Sequence, residues 1–420
     1  MKEKLAKSNS LKNKIISLLF LLSCFCIPNF MGIYWGEIFA LFLLSIIFLK
    51  GNTFLLKETL IFAIGYVVLL ILIAVNLWAT YYHNTFASFY YFFRAARYLF
   101  WFLLLALITN NFLKFNLSFI LQIIIPFVFI FHAVIIFLVY FDFFELREPI
   151  MAISNASPII YTQIFRSSGM WGGFDSASTF MAIGIVYFMA IFNKSAILKY
   201  TYILILFLAL FLTAARIGSI LLAIIFIVFI SHRFLKLQLL TIFKYFIAFI
   251  ILIVTLLFLY MISEEYQILP SQFTYTINRM LEVVNNGGTT TSTDALLTMY
   301  YLPNDEITLL IGNSLNSFYN EQSVKSDVEY IKFAWGIGLP LTIILFSYVI
   351  IGMLYLINKY NENKKLYYFF IILLIMIAIS AFKGEYFFAY RISTFYILIF
   401  WLSIYSLPSN NSQTGNFNWK

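Results

Sequence analysis

The sequence has few of the residues on which metal sites and nucleophilic active sites are usually built. Its 420 residues include two cysteines and three histidines, and only 11% of the residues are charged. Transition-metal sites need cysteine and histidine ligands at short spacings, which this sequence does not contain. A glycine-rich phosphate loop ahead of a lysine and a nucleophile elbow are also absent. We therefore expect no metal site and no cofactor.

Apolar residues, in contrast, make up 63% of the chain, well above the level of a soluble domain. Apolar runs long enough to cross a bilayer recur from end to end, and a helix is the simplest structure that can do so. The sequence predicts an all-α polytopic membrane protein with about twelve transmembrane helices. The predicted spans are 15–29, 36–49, 59–77, 90–108, 117–140, 174–192, 199–213, 217–231, 242–262, 330–357, 366–382 and 389–407.

The charged residues give these spans an orientation. Sixteen of the nineteen lysines fall in alternate loops, which the positive-inside rule places in the cytoplasm together with both termini. The distribution accounts for the net charge of +9, so no nucleic-acid binding is inferred from it. Seven of the eight arginines fall on the outer side, namely Arg94, Arg97, Arg147, Arg166, Arg216, Arg279 and Arg391.

Two predicted outer segments are long, 141–173 and 263–329. Long loops on one face of a protein commonly carry its binding and chemistry. We assign residues 1–408 to a single transmembrane domain that includes both outer segments. Residues 409–420 are rich in serine and asparagine, and we expect them to form a disordered cytoplasmic tail.

Arg216 stands at the tip of an apolar hairpin, directly after Thr213-Ala214-Ala215. Each predicted arm has about 15 residues and spans roughly 23 Å, less than the bilayer core of about 30 Å. Arg216 is therefore expected near the level of the lipid headgroups. It either binds an anionic substrate or snorkels to the interface.

Other outer arginines stand next to possible binding segments. Arg166 and Asp175 flank three glycines, which suits either a ligand-binding turn or an interfacial loop with an aromatic anchor. Arg94 and Arg97 lie one helical turn apart, as a diphosphate clamp or as interfacial anchors. Arg391 begins the last predicted span.

Asp327 stands at the mouth of the predicted span 330–357, at the end of the segment that carries Arg279 and Gly312. A carboxylate there could accept a proton from a sugar hydroxyl or bind that hydroxyl. It could also be the N-cap of the helix that follows. The two roles are compatible.

Four features, taken in order, resemble the Wzy-type O-antigen and capsular polysaccharide polymerases, which share a superfamily with the O-antigen ligases. The resemblance covers most of residues 90–400. The features are the Arg-x-x-Gly-x-x-Gly segment at 166–173, the hairpin tip at 213–216, the outer segment with Arg279 and Gly312, and Asp327…Tyr330…Gly336-Ile337-Gly338.

The resemblance implies a GT-C-like, metal-independent, inverting glycosyltransferase in the bacterial inner membrane. Such an enzyme joins undecaprenyl-diphosphate-linked oligosaccharide repeats on the outer face, and a chain-length regulator protein is a further expected partner beside the bilayer. We expect Asp327, Arg216 and Arg279 to be catalytic. The residues expected to bind substrate are Arg166, Asp175, Arg94, Arg97, Gly312, Tyr330 and Arg391.

Two alternatives stay open. The first is an O-antigen ligase or another oligosaccharyltransferase of the same superfamily. The ligases carry a histidine near the end of the corresponding loop, whereas this chain has Asp327 there and no histidine in 263–329, which favours the polymerase. The second is a lipid-linked oligosaccharide flippase or transporter. Transporters tend to show internal repeats and paired broken helices, and the two halves of this sequence show no repeat.

Overall fold

The architecture is that of a helical protein. The computed structural model describes residues 2–27, 34–51, 55–83, 89–153, 167–171, 173–213, 298–313, 326–360 and 363–405, with 215, 217, 218, 220–224 and 226. All regular structure in these ranges is helical. The helices are α1 (Lys2–Phe25), α2 (Trp35–Leu49), α3 (Lys57–His83), α4 (Tyr90–Ile108), α5 (Ile125–Tyr140), α6 (Arg147–Ile153), α7 (Phe174–Ala190), α8 (Ala196–Leu212), α9 (Glu306–Ile311), α10 (Glu329–Ile337), α11 (Leu339–Tyr360), α12 (Lys364–Ser380) and α13 (Tyr390–Tyr405).

Three helical stretches are long and apolar enough to cross a membrane, Lys57–Thr80, Tyr90–Tyr140 and Leu339–Tyr360. Four shorter apolar helices accompany them, Trp35–Leu49, Phe174–Ala190, Ala196–Leu212 and Arg391–Tyr405. The all-α class and the membrane character expected from the sequence are thus confirmed. The number of about twelve spans stays a prediction, and the predicted span 242–262 lies outside the described residues.

The chain reverses between α4 and α5 without leaving helical structure. Residues 109–124 form short π, 3-10 and α turns, so Tyr90–Tyr140 is one helical stretch of 51 residues. A straight helix of that length would reach about 76 Å. Instead, Lys14 of α1 lies over the Phe119 ring, and Lys50 after α2 lies over the Phe112 ring, each 5.8 Å from the centroid.

Contacts further along these helices fix their directions. Arg97, early in α4, bonds to Glu37 at the start of α2 at 2.7 Å. The Nε2 atom of His132 in α5 lies 2.7 Å from the carbonyl oxygen of Phe25 at the end of α1. Therefore α4 is parallel to α2, α5 is parallel to α1, and the predicted spans 90–108 and 117–140 run in opposite directions.

The same contacts define two ends of the helical assembly. The lysine end holds Lys14, Lys50 and Lys114 around the reversal, and Gln122 joins the α7–α8 connection there through Ile191 and Asn193. The arginine end holds Arg94, Arg391, Lys332 and Lys383. Among the described residues, Lys14 and Lys50 thus lie at the end opposite to Arg94 and Arg391.

The predicted single span 330–357 is wrong in one respect, because it is broken. Gly338 has φ +82° and separates α10 from α11. Such a backbone conformation is easy for glycine and strained for other residues. An ideal Cβ on Gly338 would lie 2.2 Å from the carbonyl oxygen of Leu310, so glycine also permits the close approach of α9. The sequence signal for this break was the Gly336-Ile337-Gly338 triplet itself.

Buried polar side chains fix the central helices of the assembly. The Trp401 indole of α13 donates to the carbonyl oxygen of Phe102 in α4 at 2.8 Å. The Tyr66 hydroxyl of α3 donates to the carbonyl oxygen of Ala95 at 3.0 Å. Bonds of this kind matter in an apolar interior, where an unpaired polar group costs free energy. They hold α4 between α3 and α13 and thereby place Arg94 at the arginine end.

Candidate active site

The centre of the arginine end is the connection between α12 and α13, residues 381–389, which we call the hub loop. Glu385 lies in this loop and binds two cations at once. Its carboxylate forms an ion pair with Arg94 of α4, and its Oε1 lies 2.7 Å from Nζ of Lys332 in α10. The hydroxyl of Tyr90 donates to the same carboxylate at 3.3 Å. One acid therefore ties the hub loop to two separate helices.

Glu329, the first residue of α10, binds the hub loop from inside. Its carboxylate is fully buried and accepts three successive backbone amides, from Tyr386 at 2.8 Å, Phe387 at 2.6 Å and Phe388 at 2.9 Å. Its own backbone N–H donates to the carbonyl oxygen of Ala381 at 3.0 Å. Both ends of the loop are thus attached to one residue. The three amides supply the hydrogen bonds that a buried carboxylate needs.

The pKa values of Glu385 in the hub loop and of Glu329 in α10 are shifted in opposite directions. Burial alone would raise the pKa of Glu385, but the charges of Arg94 and Lys332 outweigh burial and hold that pKa below its ordinary value of 4.5. Burial raises the pKa of Glu329 above the same value, against the opposing influence of Arg94 and the amides of Phe388 and Phe387. At Glu385 the two cations together thus outweigh burial, whereas at Glu329 burial outweighs the favourable charges and hydrogen bonds.

The outer rim of the hub loop reaches two further elements. Nζ of Lys383 lies 3.2 Å from Oδ1 of Asp175, the second residue of α7. Arg391, just after the loop, donates to the carbonyl oxygens of Met170 at 2.7 Å and Ile27 at 3.1 Å. The glycine-containing segment that precedes α7 is therefore held against the start of α13.

The segment 166–173 also lies against the hairpin tip. The Ser167 backbone N–H donates to the carbonyl oxygen of Leu212 at 3.1 Å. On the other side of the tip, the Ser178 hydroxyl donates to the carbonyl oxygen of Ala215 at 3.1 Å and accepts the Gly218 N–H at 3.0 Å. Gly218 permits this approach, since a Cβ there would lie 2.2 Å from Ser178 Oγ. Arg166 and Arg216 themselves lie outside the described residues, as does Arg279.

Gly312 packs against the end of α10, and this is a second contact between segments that the sequence analysis singled out. Gly312 has φ +78°, and a Cβ on it would lie 2.5 Å from the carbonyl oxygen of Gly336. The Asn313 N–H donates to the carbonyl oxygen of Trp335 at 2.8 Å. The side chain of Asn76 in α3 donates to the carbonyl oxygens of Ile311 and Ile337. Gly312 thus has a backbone-packing reason to be glycine in addition to any contact with substrate.

Asp327 is exposed at the arginine end, two residues before α10 begins. The alternative that it caps this helix is wrong, because the N-cap position belongs to Val328 and carries no side-chain cap hydrogen bond. The helix begins at Glu329, one residue before the predicted span and one residue after the start that a cap at Asp327 would give. Asp327 is therefore an exposed carboxylate close to a buried one.

Arg94, Arg97 and Tyr330, which are also predicted to bind substrate, each contact a different partner in the structure. Arg94 binds Glu385, whereas Arg97 binds Glu37 and lies 4.1 Å from the centroid of the Tyr34 ring. The two arginines thus engage different carboxylates. Tyr330 donates its hydroxyl to the carbonyl oxygen of Ala378 at 3.1 Å. Beside it is an apolar cavity of about 250 Å³, lined by Leu302, Tyr330, Ile331, Ala334, Leu339, Thr342, Ile343, Phe346 and Ser347.

Sequence reasoning missed the residues that organise this end, Glu329, Lys332, Lys383 and Glu385. Their signal was a set of charges at the edges of apolar runs, and their pairing across 53 to 291 residues could not be read from local spacing. Within the described ranges no group of three or more His, Cys, Asp or Glu could hold a metal ion. The arrangement is instead a set of cations and carboxylates, suited to binding an anion and to moving a proton from a hydroxyl.

No protein-family model, no curated protein and no solved structure matches this chain. The resemblance to the polysaccharide polymerases therefore rests on the four sequence features alone.

Proposed function

We propose that this protein is a polysaccharide polymerase that joins undecaprenyl-diphosphate-linked oligosaccharide repeats at the outer face of the bacterial inner membrane. The observation that supports it most is that the described parts of these features lie around the hub loop at the arginine end. Ser167 contacts Leu212, directly before the hairpin tip, and Gly312 lies against Gly336. The hub loop binds Asp175, just after the first segment, through Lys383 and binds Lys332 of α10 through Glu385.

The chemistry proposed for this site is one displacement. A sugar hydroxyl of the acceptor repeat attacks the anomeric carbon of the donor repeat, and the bond from that carbon to the diphosphate oxygen breaks. Asp327 takes the hydroxyl proton. The lipid diphosphate leaves with the bonding electrons, and its developing charge is stabilised by arginine, with Arg216 and Arg279 as the catalytic candidates.

A deletion strain tests the proposed function through its lipid-linked glycans. Loss of a polymerase leaves single repeats on the lipid at the outer face, and loss of a ligase leaves long lipid-linked chains. A wild-type copy should restore the ladder of polymer lengths. Accumulation of long chains in the deletion strain would contradict polymerisation by this protein.

Arg216 gives a test at the level of one residue. Arg216→Lys should shorten or deplete the polymer at unchanged protein level, because an ammonium cannot hold two phosphate oxygens as a guanidinium does. The loss of a charge-assisted bond of about 1.5–3 kcal/mol corresponds to roughly tenfold to a hundredfold in rate. Arg216→Ala should approach the deletion phenotype, and a normal ladder in that variant would assign Arg216 to interfacial anchoring.

A flippase or transporter is the second candidate, and one observation favours it. The α10–α11 span is broken at Gly338, and Glu329 and Lys332 are buried beside the break. Discontinuous helices with buried charges are common in transporters. The deletion strain separates the candidates, because loss of a flippase traps single repeats on the cytoplasmic leaflet, where an impermeant glycosidase added from outside cannot reach them.

A further inference from the structure

The three ion pairs that the structure describes around the hub loop and α7 differ in exposure. The Lys332 and Arg94 side chains are 6% and 14% exposed, and their shared partner Glu385 is 17% exposed. Lys383 and Asp175 are 29% and 39% exposed, and their separation of 3.2 Å is longer than the 2.7 Å between Lys332 and Glu385. Exposed ion pairs contribute little stability and exchange partners readily.

The backbone under Lys383 is fixed although its side chain is accessible. Its N–H donates to the carbonyl oxygen of Ser380 at 2.8 Å, which continues the last turn of α12. The hydroxyl of Tyr300 donates to the carbonyl oxygen of Phe382, the preceding residue. Glu329 holds the other half of the loop through the amides of residues 386–388. Of the cations in the three described ion pairs, Lys383 is the most exposed, so its side chain has the most room to change partner.

A diphosphate is a stronger partner for such a lysine than a single carboxylate. It carries more negative charge and more acceptor oxygens, so it competes well for an ammonium group at the rim. Because the lysine is anchored at its backbone, the exchange needs no movement of the loop. A pre-positioned cation of this kind binds an anion without the entropy cost of ordering a loop.

We propose that the hub loop is an anion-binding element, in which Lys383 leaves Asp175 to bind the diphosphate of the lipid-linked donor and Glu329 is the positioning residue that holds the loop. The identity of the anion rests on the function proposed above. The presence of an anion-binding site at this place rests on the hub-loop geometry alone. Lys383, Glu329 and Glu385 were not among the site residues expected from the sequence.

The test uses the full-length protein in lipid nanodiscs and inorganic pyrophosphate as the probe, with binding measured by calorimetry. Lys383→Gln should raise the dissociation constant about tenfold or more, since a charge-assisted bond is lost. Lys383→Arg should stay within about threefold of wild type. The matched control is Lys359→Gln, because Lys359 also pairs with one acid, Glu58, at 2.6 Å, but at the lysine end.

The positioning role of Glu329 has a separate readout. Glu329→Gln keeps the size of the side chain but points an amide NH₂ group at the backbone donors of the loop. It should weaken pyrophosphate binding as Lys383→Gln does, and the double variant should be no weaker than either single variant. Additive losses would overturn the positioning role. If Glu329→Gln does not fold, the comparison of Lys383→Gln with Lys359→Gln decides the anion-binding role.

The pyrophosphate-binding test of the hub loop and the deletion-strain test of the polymerase can fail independently of each other. Equal dissociation constants for Lys383→Gln, Lys359→Gln and wild type, or no pyrophosphate binding to wild type at millimolar concentration, would overturn the anion-binding element even if the deletion strain supports a polymerase. Selective loss of binding in Lys383→Gln would support the element even if the deletion strain points to a transporter.

Discussion

At the scale of single residues, burial separates two acids that are neighbours in sequence. Asp327 is exposed, whereas Glu329 is fully buried and bonded to three amides. An exposed carboxylate can exchange protons with a bound hydroxyl, and a buried one with all its acceptor positions engaged is structural. The two residues therefore have different expected phenotypes.

For Asp327 we expect a loss of activity without a loss of stability. Neither Asp327→Ala nor Asp327→Asn removes a helix cap, so each should change the free energy of unfolding by no more than about 0.5 kcal/mol. Both should lower the polymerisation rate by a similar factor, of the order of 10²–10⁴ if Asp327 is the general base. Glycan ladders at matched protein level check this, and a normal ladder from Asp327→Asn would remove Asp327 from the catalytic set.

For Glu385 we expect a pH-dependent stability. Because its folded-state pKa is lowered, its contribution is present above the ordinary value of 4.5 and is lost as the pH falls through the folded-state pKa. The difference in stability between wild type and Glu385→Gln should be about 3 kcal/mol near pH 7, and it should shrink below pH 4.5. Thermal unfolding in detergent at several pH values measures it. A difference independent of pH would contradict the ion pairs with Arg94 and Lys332.

At the scale of elements, the contact between α9 and the break between α10 and α11 depends on Gly312 and Gly338. Gly338→Ala combines a positive φ with a Cβ placed 2.2 Å from the carbonyl oxygen of Leu310. Gly51→Ala is the matched control, since Gly51 has φ +68° with open space around it. Gly51→Ala should lower the free energy of unfolding by about 1–2 kcal/mol through backbone strain alone.

Gly338→Ala should lower the free energy of unfolding by clearly more than Gly51→Ala does, because the neighbouring backbone must also move. Melting temperatures of the two purified variants give the comparison. Equal losses would show that α9 does not need its close approach to the break.

The helices themselves were largely predictable from the sequence, and their connections were not. Apolar runs of crossing length predicted α4 at its observed bounds and α3 to within six residues, because burial in lipid imposes length and composition. The span predicted at 330–357 instead begins nine residues before α11 and includes α10. The reversal at 109–124 and the break at Gly338 depend on backbone geometry that hydropathy does not report. The hub loop could not be predicted from the sequence for a different reason, because its hydrogen bonds and ion pairs join Glu329 and Glu385 to partners that are distant in sequence.

At the scale of the whole molecule, the two ends can be assigned to sides of the membrane by labelling. Cys24 and Cys26 are both buried and can be replaced first to give a background without thiols. In that background, Asn304→Cys should react with an impermeant maleimide from outside, and Lys194→Cys should not. Both positions are exposed in the structure, so access to the compartment is the only difference. Ser167 is a poor site for this purpose, because it is buried.

The opposite labelling pattern would reverse the topology. It would place the arginine end on the cytoplasmic side, opposite to the face at which the proposed polymerisation takes place. The proposed function would then fail together with the orientation.

The attachment of Glu329 to the hub loop has a consequence for biogenesis. Its amide partners follow it by 57 to 59 residues, and Glu385 follows Lys332 by 53. At a synthesis rate of 5–20 residues per second, a nascent chain carries both charges without their partners for roughly 3 to 12 seconds. During that interval Glu329 and Lys332 lack these hub-loop partners, so burial of α10 in the bilayer costs more free energy than in the complete chain. The last hairpin, α12 and α13, therefore completes the insertion of a helix made long before it, and chains truncated ahead of residue 386 should be recognised as unfinished and degraded.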